Sequence, residues 1–135
     1  MYITLLDVKN EKEYPIEGIT YQYLYSVFFL LEYEFDLYLE IDKPVSFSGR
    51  MLDLLYDRIK EQMCVLINTL YKEPSNKLMS KHPGWFIKFQ FDDKKFIVDY
   101  TTYAPGKLMY ILSSRLDFIN SIRMSGEELV IIAKK

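Results

Sequence analysis

Cys64 and His82 are the chain's one cysteine and one histidine, its only candidates for a thiol nucleophile with an imidazole base. Such a pair works in acyl transfer when the two lie within hydrogen-bond reach and a third group orients the base. Their surroundings point elsewhere. Cys64 sits in QMCVLIN, beside the apolar stripe of a helix, where cysteine behaves as a small, inert hydrophobe. His82 lies in Lys81–His82–Pro83–Gly84, which reads as an exposed turn. No flanking signature ties the two together. One residue of each type also leaves too few soft ligands for a structural zinc site, so neither metal nor cofactor is expected.

Other chemistry fares no better. The glycines at 18, 49, 84, 106 and 126 never fall in a phosphate-cradling or dinucleotide spacing. Asp92–Asp93 belongs to a turn, where aspartates stay solvated. Asp53, Asp57 and Glu61, four residues apart on one helix, repel by a few tenths of a kcal/mol per pair. Arg50 and Lys60 stand three residues away to compensate, which makes a solvated face. Lys77, Lys81, Lys88, Lys94 and Lys95 surround Trp85 and Phe86, a mixture that can stack and neutralise single-stranded nucleic acid. The pI near 5.5 and the scarcity of arginine argue against it. The expectation is that the protein is not an enzyme.

One pattern remains. The stretch Leu31–Asp42, LEYEFDLYLEID, carries five acids and no base. Read at period two, Tyr33, Phe35, Leu37, Leu39 and Ile41 share one face, while Glu32, Glu34, Asp36, Tyr38, Glu40 and Asp42 share the other. Acids are poor strand formers and repel when aligned, so such a row needs a reason. A solvated face balanced by neighbouring lysines is one. The other is a negative, tyrosine-bearing surface that docks a basic partner, with charge raising the association rate and Tyr38 supplying contact area.

The elements that would position this row follow from periodicity. Tyr2–Val8 reads as a strand closed by a polar turn, KNEKEYP. Residues 20–31, TYQYLYSVFFLL, fit both a helix and a strand, and read as a buried helix because no turn separates them from the next strand. The acidic strand follows, ended by Lys43–Pro44. A helix capped by Ser48 spans 49–71 on the stripe Leu52, Leu55, Ile59, Met63, Leu66 and Leu70. A loop, PSNKLMSKHPG, leads to a β-hairpin over 85–100. Pro105–Gly106 opens a helix with Leu108, Leu112, Leu116, Ile119 and Ile122 on one side, and Leu129–Ala133 is a last strand. The fold expected is α+β, a largely antiparallel sheet of about five strands with two or three helices packed on one face.

At 135 residues the chain is read as a single globular domain, 1–135. Half its residues are hydrophobic, which excludes a disordered chain. Asp7 and Lys9 interrupt any secretory leader. The longest nearly apolar run, Ile19–Leu31, falls well short of the roughly 20 residues a membrane span requires. A cytoplasmic protein without membrane or nucleic-acid partners is expected, as monomer or homodimer. Residues up to 47 hold nine acids against three lysines, so the charge is uneven along the chain. The functional expectation is a binding or inhibitory protein that docks a basic protein partner, by the physical logic of immunity proteins that neutralise nuclease toxins. The alternatives are a homo-oligomeric structural subunit burying its tyrosines against a copy of itself, a small enzyme using Cys64 or His82, and a single-stranded nucleic-acid binder.

Overall fold

The structure, a computed structural model, describes residues 2–135. In chain order its elements are β1 (Tyr2–Asp7), β2 (Lys12–Ile16), α1 (Gly18–Phe35), β3 (Val45–Phe47), α2 (Gly49–Leu70), α3 (Asn76–Lys81), β4 (Phe86–Phe91), β5 (Lys94–Asp99), α4 (Ala104–Ser125) and β6 (Leu129–Lys134). The fold is α+β with antiparallel sheets and helices packed against them, as the periodicity implied. The chain divides into two compact units, one made of the residues through Lys60 with Arg115–Lys135, the other of Glu61–Ser114.

The first unit holds a four-stranded sheet in the order β2-β1-β6-β3, antiparallel throughout. Its core face follows from register: Ile3 lies between Ile16 and Ala133, Leu5 opposite Ile131, and Phe47 opposite Leu129, all buried. Against it, α1 buries Leu24, Val27, Phe28 and Leu31, spaced i, i+3, i+4, i+7. β2 is a correction, because KEYPI reads as turn and is a strand. It lies on the sheet edge with only Ile16 buried, so it has no alternation to detect. The edge position tolerates Pro15, which cannot donate to a ladder. The guanidinium of Arg115 donates to the Pro15 carbonyl from Nε at 3.1 Å and Nη2 at 2.9 Å.

The second unit is organised by the β4–β5 hairpin. Asp92 and Asp93 have φ of 52° and 63°, the two positive dihedrals of a two-residue hairpin turn. Phe89 and Val98 are buried with Met63, Leu66, Leu108, Met109 and Leu112. A two-stranded sheet leaves both edges unpaired, and here hydroxyls occupy part of them. The Tyr71 hydroxyl accepts from the Ile97 N–H and donates to the Ile97 carbonyl, each at 3.3 Å. On the other edge, Ser113 Oγ donates to the Gln90 carbonyl at 3.1 Å. The expected loop after α2 contains a short helix, α3, because Ser75 caps it by accepting the Leu78 N–H at 3.1 Å.

Candidate functional site

The acidic strand does not form. Helix α1 runs through Phe35, so Glu32 and Glu34 lie in its last turns. Burying Leu31 in phase with Leu24, Val27 and Phe28 keeps the helix going, and glutamate favours a helix over a strand. The helix stops at Asp36, which takes the left-handed conformation (φ 50°, ψ 40°) and donates its N–H to the Glu32 carbonyl. The Leu37 N–H reaches the same carbonyl at 3.1 Å. Aspartate is among the few non-glycine residues that visit this region readily. Residues 37–40 are irregular, and Ile41 makes one isolated parallel bridge to Ala133.

The six residues read as one face are therefore distributed over a helix end and a loop. Glu34 pairs with Arg58 Nη2 at 3.6 Å, Asp42 with Lys134 Nζ at 3.6 Å, and Glu40 with Lys43. Glu32 Oε1 accepts a long hydrogen bond from the Leu39 N–H at 3.4 Å. Asp36 is exposed and makes no ion pair among the described residues. Tyr38 projects into solvent, 68 % exposed. The charge imbalance of the N-terminal third is thus partly neutralised within its own unit by bases from later in the chain.

What periodicity missed is the far side of α1. Ile19, Tyr25, Phe29, Leu30 and Tyr33 are exposed there, with Gln22 and Ser26 between them and no charge on that face. Tyr33 is 82 % exposed. The face runs about 21 Å along the axis at 1.5 Å per residue. The signal was present, since a helix apolar all round is either buried or partnered. A helix buried all round is the expectation for residues 20–31, and the structure corrects it by leaving one face open. The helix itself is flanked by Glu17 at its N-cap and Asp36 at its C-cap, both exposed and without ion pairs among the described residues.

Elsewhere, Cys64 is half-buried in α2. His82 is not a free loop side chain: its ring stacks on Trp85 with centroids 3.7 Å apart, while its backbone N–H donates to the Leu78 carbonyl at 3.0 Å. That stacking occupies one indole face that a nucleobase would need, while the five lysines around it are exposed. Among the described residues no group of three His, Cys, Asp or Glu is placed to hold a metal. No helix there is long and apolar enough to cross a membrane.

A cleft of about 510 Å³ opens in the second unit beside Lys72, Leu78, Phe86, Asp99 and Tyr103. Neither Cys64 nor His82 lines it. Two carboxylates line it, Glu73 and Asp99, and Asp99 is committed to local structure. Burial pushes Asp99 up, but hydrogen bonds from the Thr102 hydroxyl and N–H and from the Thr101 N–H and hydroxyl outweigh this and bring it to about 2. The Thr101 and Thr102 N–H groups lie 2.8 and 2.9 Å from Oδ1. Among known proteins, no family model, curated protein or solved structure matches this chain.

Proposed function

We propose that this protein acts by binding, as an inhibitory protein of immunity-protein character that docks a basic protein partner, for example a nuclease toxin. The docking surface is the acidic, tyrosine-bearing end of α1 and the loop behind it, with Asp36 and Tyr38 foremost. One observation carries the reading: from Glu17 to Asp42 the chain has six acids and no base, and the same segment exposes Tyr33 and Tyr38. Opposite charge at the rim steers encounter, and a tyrosine supplies contact area with little conformational entropy to lose. Glu34, Glu40 and Asp42 already have cationic partners, so Asp36 and Tyr38 are the informative positions.

The test compares the purified full chain with Asp36→Lys and Tyr38→Ala as bait for proteins of the native host. The reading expects a basic protein retained at low salt and lost at high salt, because screening shortens the reach of exposed charges from about 30 Å at about 0.01 M to about 3 Å at about 1 M. Asp36→Lys should slow its association, and Tyr38→Ala should speed its dissociation. Retention that neither variant nor salt alters would overturn the reading. A second reading, a homo-oligomeric structural subunit, draws on the open face of α1, and sedimentation velocity over a range of concentrations separates the two.

A further inference from the structure

We infer that the open face of α1 seats an amphipathic helix of that same basic partner, laid along α1 as the second helix of a two-helix seam. The inference rests on the docking reading above and specifies what the partner presents. Ile19, Gln22, Ser26, Phe29 and Tyr33 follow one another at steps of three, four, three and four, the spacing of a coiled-coil seam. All five lie on the side turned away from Leu24, Val27, Phe28 and Leu31, so α1 carries one stripe for its own sheet and another that its own fold leaves open. Tyr25 and Leu30 flank the second stripe and widen it.

Shape favours a helix as the occupant. Ser26, at the middle of the stripe, is small and lowers the ridge, so that a second helix can approach closely between Phe29 and Ile19. Gln22 puts a polar group into the seam, the feature that fixes register in such pairs. Charge selects which helix. Glu17 at one end and Asp36 at the other stand exposed without ion pairs among the described residues, and the only other charges along the helix are Glu32 and Glu34. The seam therefore fits a helix that is apolar on one side and carries lysine or arginine towards both ends. A second copy of this chain fits poorly: a two-fold, antiparallel pair would set Glu17 of each copy against the Asp36 end of the other. An anionic lipid surface fits poorly too, because helices that lie on such surfaces are rimmed with bases.

Photo-crosslinking in host cells tests this, with benzoylphenylalanine in place of Phe29 in one protein and in place of Tyr38 in another. The expected result is the same basic protein joined at both positions. Peptide mapping of the Phe29 adduct should give a segment with apolar residues at three–four spacing flanked by lysine or arginine. Phe29→Ala should weaken capture by about tenfold or more, as loss of a central aromatic contact does, with the urea midpoint confirming a folded protein. A Phe29 adduct with a second copy, a lipid, or a loop or strand of the partner would overturn the helix seat. If the basic protein is joined at Tyr38 alone, the docking reading survives and the seat does not. No basic protein at either position overturns both.

Discussion

Phe28 and Phe29 are neighbours in the chain and opposites in the structure, 4 % and 55 % exposed, so truncating each in turn measures the rotational phase of α1. Phe28→Ala empties a packed site and should cost about 3–5 kcal/mol, the usual range for removing a buried ring. Phe29→Ala removes a ring with less than half its surface covered. Scaling the 1.5–3 kcal/mol of full burial by that fraction gives roughly 0.7–1.4 kcal/mol, with no cavity left behind. The gap of about 2 kcal/mol or more corresponds to roughly 6–12 °C in melting temperature for a chain of this size. Urea melts followed by circular dichroism, with unchanged m-values, would read it directly. Equal costs would refute the assigned phase and with it the open face. A Phe29→Ala cost that grows with protein concentration would show instead that a second copy covers the face.

Three further outcomes follow from single contacts. Tyr71→Phe leaves the Ile97 N–H and carbonyl on the hairpin edge without their hydroxyl and should cost about 1–2 kcal/mol; faster exchange of the Ile97 amide would localise the loss. Gly106→Ala would place a Cβ 2.6 Å from the Asp99 carbonyl oxygen and 3.0 Å from Val98 Cβ, both packed, so it should cost about 1–3 kcal/mol in the same melts. Asp99 is held at about 2, below the usual carboxylate value near 3.9 in an unfolded chain, so its contribution to stability is complete above pH ~4 and is lost as pH falls towards ~2. Asp7, lowered chiefly by the Asn10 side chain, acts in the same direction. Wild-type stability measured from pH 5 to 2 should fall more steeply than that of Asp99→Asn, and parallel curves would contradict the assignment.

Local pattern alone was enough for the elements in which burial is one-sided. The stripe from Leu52 to Leu66, the two alternating arms of the hairpin around Asp92–Asp93 and the alternation of Leu129, Ile131 and Ala133 each match the structure, because a face buried at a fixed period leaves that period in the sequence; Leu70, expected to continue the stripe, is exposed at the helix end. Pattern failed where burial was two-sided or absent. β2 buries only Ile16 and becomes a strand through pairing with β1, a partner that the sequence of β2 does not reveal. Residues 31–35 alternate at period two by composition, yet they continue a helix in which Leu31 completes the buried stripe of Leu24, Val27 and Phe28. Tertiary contacts likewise decided that Glu34 and Asp42 meet cations, Arg58 and Lys134, whereas Glu40 has a local partner in Lys43. They also decided that an apolar helix would be covered along one side and open along the other. Composition fixes how much apolar and acidic surface a chain carries, but only the packed fold determines which part of it still faces water.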